Sequence, residues 1–190
     1  MMRNTHISRL IRLLAILSLL LCPSFSQASN FVSNFETLPA VEKMPPKVAT
    51  WKYTPTVLVC DYAPVDEKKI ESAVAYWRRH GFRFYNTIYK RDKLKKCQEP
   101  SPNGFIVIHL VTQEIHKNMK ETALAETHFY VNNDTREIEW AKIYLRGKPK
   151  ERVLEHEIGH ALGFLHYNKR DHLMHEKWTL GGWEHEGLYR

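Results

Sequence analysis

Cysteine is scarce in this sequence, and no apolar run is long enough to make a comfortable membrane span. Only Cys22, Cys60 and Cys97 occur in 190 residues, too few for a framework of several bridges. The longest apolar run, Leu13–Leu21, falls short of the roughly 20 residues that a spanning helix needs. There is no internal repeat and no low-complexity segment. No Asp-rich loop marks a calcium site. The basic stretch Lys90–Lys96 carries no interleaved aromatics, so it reads as a solvated loop and no nucleic-acid partner is expected.

What is present begins with an export signal. Residues 1–28 place Arg3, Arg9 and Arg12 ahead of the apolar run and end in Ser26-Gln27-Ala28. That is the basic, apolar, small-residue order of a cleaved signal peptide. The formal charge of the whole chain is +7. Removal of the signal leaves 25 basic against 21 acidic residues, a charge of +4, too mild to argue for a polyanionic partner. Cys22 departs with the signal. Cys60 and Cys97 remain as an even pair, expected to form a disulfide in a secreted or periplasmic protein. No stable membrane span is expected after cleavage, and a monomer is the expected state.

Residues 29–50 hold Pro39, Pro45 and Pro46 without an apolar period and read as an extended arm. The rest, 51–190, reads as one domain. Thr54–Tyr62 is β-branched and predicts a buried strand. A helix follows, capped by Asp66, ended by Gly81, with Ile70, Ala73, Val74 and Trp77 on one face. Phe82–Lys90 alternates as a strand, and Gly104–Val111 predicts a central strand because it is nearly all apolar. Gln113–Leu124 reads as a loop. Two further strands flank Asn132-Asn133-Asp134 as a hairpin, and a last helix is expected to open near Pro149. The order predicts an α+β fold, a mixed sheet with helices packed on it.

The chemistry concentrates in "HEIGHALGFLH", from His156 to His166. On a helix, His156 and His160 stand one turn apart on one face, so their imidazoles can converge on one ion. Glu157 lies beside the first of them and can take a proton from a metal-activated water. Gly163 allows the chain to turn in a left-handed conformation, which lets His166 swing back as a third ligand. His172, His175 and His185 lie in a polar tail and read as solvated or substrate-side residues. His128 falls in a strand, with no role evident from its neighbours.

With Met174 eight residues beyond His166, this stretch resembles the metzincin zinc endopeptidases, whose pattern is HExxHxxGxxH followed by a Met-turn. The resemblance implies a small matrixin-like catalytic domain. It has a twisted mixed sheet of about five strands, an antiparallel edge strand near Glu126–Asn132 that binds extended peptide, two main helices and a short C-terminal subdomain. It makes His156, His160 and His166 ligands of one catalytic zinc ion, Glu157 the general base and Met174 the Met-turn residue. The expected substrate is a protein or peptide. Tyr167 follows the third His where the main branches carry Ser, Thr, Glu, Asp or Pro, and Glu176 stands where some relatives carry a metal-facing Tyr. Two other readings compete. One is a non-catalytic secreted zinc-binding module that mediates protein interaction. The other keeps the peptidase and takes its third ligand from Glu176 or Glu184, as thermolysin-like enzymes do. The basic "YNKRD" after His166 points toward acidic or polar partners.

Overall fold

The structure is a computed structural model that describes residues 31–32, 44–89, 97 and 102–190. The expected signal peptide, most of the arm and Lys90–Lys96 lie outside these residues. Among the described residues one sheet has seven strands. They are β1 (Phe31–Val32), β2 (Thr50–Trp51), β3 (Thr56–Val59), β4 (Thr87–Tyr89), β5 (Phe105–Leu110), β6 (Ala125–Asn132) and β7 (Glu137–Leu145). Three helices accompany them: α1 (Glu67–Arg79), α2 (Gln113–Asn118) and α3 (Val153–Ala161). The sheet has more strands than the five or so expected: five have three or more residues, and β1 and β2 add two residues each.

The strand order is β1-β6-β7-β5-β3-β4, with β2 beside the start of β7. The sheet is mostly parallel: β4, β3, β5, β7 and β2 pair in parallel, and only β6 with its partners β7 and β1 runs antiparallel. The central strand expected at Gly104–Val111 is β5, interior between β3 and β7. Its neighbour β3 reads as a continuous apolar run because both of its faces are covered. Val57 and Val59 face the main core with the helices, while Leu58 and Cys60 pack with Val107 on the other side. There the Cys60–Cys97 disulfide, with Cα atoms 5.9 Å apart, covers the second face. It closes a separation of 37 residues, a constraint on the unfolded chain of about 4 kcal/mol in the loop-entropy account.

Helix α1 forms as its sequence dictates. The Asp66 carboxylate accepts from Lys69 N at 2.8 Å, Glu67 occupies the positive end, and Arg78 and Arg79 occupy the negative end. Ile70, Ala73, Val74 and Trp77 are all buried. Trp77 then positions the next layer. Its indole N–H donates to Glu155 O at 2.8 Å, and its ring stacks on Phe164 at 5.8 Å. Glu155 lies in the first turn of the chemistry-bearing helix and Phe164 just beyond its end, so α1 fixes α3 at both ends.

Three local expectations are corrected. The stretch Phe82–Lys90 becomes a strand only at Thr87, because Phe82 N still bonds Trp77 O while the chain leaves α1 through left-handed Gly81. Gln113–Asn118 is a short helix, capped by the Thr112 hydroxyl, rather than loop. It buries no side chain, so no apolar stripe announced it. The last helix opens at Val153, not near Pro149. Pro149 instead gives its carbonyl to Lys69 Nζ at 2.6 Å, and Arg152 turns into the helix with φ 66°. No helix among the described residues is long and apolar enough to cross a membrane.

Candidate metal centre

Helix α3 sets the first two histidines. His156 and His160 lie one turn apart, their Nε2 atoms 3.0 Å from each other, and His166 Nε2 is 3.1 Å from His160 Nε2. The return of His166 depends on Gly163. Its φ is 95°, and a Cβ there would stand 2.3 Å from Ala49 O, so the turn admits only glycine. The arm and the strand that follows it brace this turn: Val48 N donates to Gly163 O at 3.0 Å, and Trp51 Nε1 donates to Ala161 O at 2.8 Å.

Backbone carbonyls fix the tautomers. His156 Nδ1 lies 2.8 Å from Leu173 O, and His160 Nδ1 lies 2.8 Å from Phe164 O. A carbonyl only accepts, so each Nδ1 carries the proton and each Nε2 offers a lone pair inward. Burial, then the neighbouring rings, push His156 down to about 3 and His160 well below the usual imidazole range. Neutral imidazoles with converging lone pairs repel unless a cation lies between them. Tetrahedral zinc with bonds of about 2.0–2.1 Å places its ligand atoms roughly 3.3 Å apart, close to the spacings here. The three histidines are the only group of this kind among the described residues, and they fit that ion.

Glu157 is buried beside them. Its carboxylate accepts from the Thr127 hydroxyl at 2.6 Å, across from β6. Burial raises Glu157 to about 7, the Thr127 bond opposes the rise, and the charge of Glu126 adds to it. Thr127 faces the helix because Phe129, Val131 and their β7 partners alternate toward the same core.

Met174 is fully buried against α3. A Cβ on Gly159 would lie 2.5 Å from its sulfur and 2.9 Å from Trp77, so glycine at 159 lets the Met pack under the turn bearing His156 and His160. Tyr167 N donates to Met174 O at 2.9 Å and closes the loop. His172, expected in a solvated tail, is instead wholly buried. Its Nδ1 accepts from Met174 N at 3.1 Å and its Nε2 donates to Glu186 O at 3.1 Å. His175 is also buried, its Nδ1 accepting from Lys177 N at 3.0 Å. Neither joins a second cluster of ligands among the described residues. His128 pairs with Glu126 through Nε2 at 2.5 Å on the sheet face away from α3.

The carboxylates weighed as third ligands are engaged elsewhere. Glu176 pairs with Lys120 at 3.2 Å, and Glu184 pairs with Lys169 at 3.1 Å. The Lys of "YNKRD" is therefore neutralised by Glu184 and Glu186. A cavity of about 840 Å³ opens on the three histidines and Glu157 and runs past β6 on one side and residues 175–181 on the other. Sequence reasoning missed Thr127, the Leu173 carbonyl and the structural role of His172. The contacts Thr127–Glu157, His156–Leu173 and His172–Glu186 span between 14 and 30 residues, and no local pattern marks them. The chain matches no protein-family model, and no curated protein matches it.

Proposed function

We propose that this chain is an exported zinc-dependent endopeptidase of metzincin type. The observation that carries the reading is the convergence of three imidazoles beside a buried, oriented carboxylate at the floor of an open cavity. His156, His160 and His166 would hold the ion. Zinc bound there supplies Lewis acidity, polarising a carbonyl and bringing the pKa of water to about 7.

The chain's own groups do the rest. Glu157 accepts the proton of the attacking water and returns it to the departing amine. The Thr127 hydroxyl holds one carboxylate oxygen, which leaves the other to receive the proton. Substrate lies extended along Ala125–Thr127, the part of β6 that borders the cavity, and pairs through its main chain. The outer half of the same strand already accepts an antiparallel partner: Val32 pairs with Phe129 and Phe31 with Tyr130. The substrate edge is thus shorter than the expected Glu126–Asn132. A module that only binds zinc has no use for a base held in this way, which favours catalysis over the interaction-module reading.

The test is to incubate the zinc-loaded chain with a mixture of denatured proteins beside its Glu157→Gln variant and to map new peptide termini by mass spectrometry. Termini seen only with the wild type are expected. Equal cleavage by the variant, or no termini while one zinc stays bound per chain, would overturn the proposal.

A further inference from the structure

We propose that the cavity selects substrates with an acidic side chain close to the scissile bond, gripped by Arg152. This rests on the peptidase reading above and names its substrate class. The cavity wall carries four cations, Lys120, Lys150, Arg152 and Lys177. Three acids share it. Glu176 is paired with Lys120, Glu126 with His128, and Glu157 is the reacting base. Among the described residues no ion pair engages Lys150, Arg152 or Lys177. The surplus charge of the wall is positive, and it lies on the side of the cavity opposite β6.

Arg152 is built for the task. Its guanidinium carbon lies 5.4 Å from the Trp178 ring centroid, with Lys150 Nζ 4.9 Å from the same ring. Trp178 is itself tied to Glu151 O by its indole N–H at 2.9 Å. An aromatic face holds a guanidinium without consuming its N–H donors, so the planar fork stays available for a carboxylate. Gly181 makes the space: a Cβ there would stand 3.2 Å from Arg152 Nη1. The neighbouring acid Glu151 is turned to Trp183, whose indole it accepts at 3.2 Å.

The backbone of Arg152 is also strained. Its φ of 66° is left-handed, and it is the one non-glycine residue of that kind on the cavity wall among the described residues. Its carbonyl accepts from His156 N at 2.9 Å, which places it one helical turn, about 6 Å, before the first metal ligand. An extended peptide advances roughly 3.3 Å per residue, so a side chain within two residues of the scissile bond reaches the guanidinium.

The test uses pairs of labelled peptides identical but for Glu or Gln at each of the two positions on either side of the scissile bond. Binding to the zinc-loaded Glu157→Gln protein is read by fluorescence anisotropy, and cleavage by the wild type in parallel. Arg152→Asn, in the Glu157→Gln background for binding, removes the charge with a residue that tolerates the left-handed backbone. At one position the Glu peptide is expected to bind at least about tenfold tighter than its Gln twin, with the gap closing in the Arg152→Asn protein. Equal binding of the twins at every position, or a gap that survives Arg152→Asn, overturns the inference. Acid-selective binding without any cleavage keeps the pocket and removes the peptidase. Cleavage of protein mixtures without acid preference does the reverse.

Discussion

The Thr127 hydroxyl, on the sheet, lies 2.6 Å from a carboxylate oxygen of Glu157, on the helix, and 3.2 Å from the carbonyl of the same residue. One side chain of β6 thus holds the proposed base in place while its main chain borders the cleft. Thr127→Val keeps the shape and removes the donor. Turnover is expected to fall about tenfold in kcat with KM nearly unchanged, because a base out of position is lost in the transition state and not in substrate binding. Thr127→Ser should restore most of it. Steady-state kinetics on the three proteins, with zinc content measured in each, checks this; equal kcat in all three would show that the bond positions nothing.

Gly159 faces Met174 and Trp77 at distances that leave no room for a methyl group. Alanine is the better helix former by about 1 kcal/mol, whereas overpacking costs about 1–3 kcal/mol. Trp77 is fully buried and cannot withdraw. The Gly159→Ala protein should therefore unfold at lower urea concentration than the wild type, and it should hold zinc less tightly. A midpoint equal to or above the wild type would mean that Met174 moves aside freely.

His172 is buried neutral between Met174 N and Glu186 O, and burial holds its pKa below the ordinary imidazole value. The sign follows from linkage. The folded state resists protonation that the unfolded chain accepts near 6.5, so this stabilisation is complete above that pH and is lost as pH falls toward the folded value. Denaturation of the wild type and His172→Gln between pH 8 and pH 5 tests it, since the difference between the two profiles cancels the other histidines. The stability gap is expected to shrink on acidification. A gap that widens toward pH 5 would contradict the buried neutral assignment.

Chelation should lower the melting temperature, and one equivalent of zinc should restore it. A ligand bound only by the folded state at a thousand times its Kd adds about 4 kcal/mol. His166→Ala should lose most of that zinc-dependent rise, while Glu176→Ala keeps it, because Glu176 is occupied by Lys120. Calorimetric scans with and without zinc discriminate; the opposite pattern would restore the carboxylate as third ligand.

Much of the candidate site was legible because it is local. The spacing of His156 and His160 is a property of any helix, Gly163 is the residue that a left-handed turn requires, and Asp66 caps α1 through a contact three residues away. The disulfide followed from the export signal, which removes Cys22 and leaves Cys60 and Cys97 as an even pair in an oxidising compartment. What failed was also systematic. Basic residues after His166 pointed to acidic or polar partners, but the residues behind that reading were the wrong ones: Lys169 is spent on Glu184 and Glu186, and the cleft takes its charge from Lys150, Arg152 and Lys177. His172 looked solvated among charged neighbours and proved to be a buried brace.

By itself, the sequence determined the elements that period, caps and turn residues specify, together with the three imidazoles and the acid beside them. Those features depend on dihedral preferences and side-chain directions within a few residues, which the local chain dictates. Tertiary structure decided which carbonyls orient His156 and His160, that Thr127 holds Glu157, that Trp77 anchors α3 and that Arg152 reaches Trp178. Most of those contacts join segments brought together by burial of the shared core. Hydrophobic burial is non-directional, so the chain pattern states that such segments must pack, and only the packed sheet and helices state which polar groups then meet.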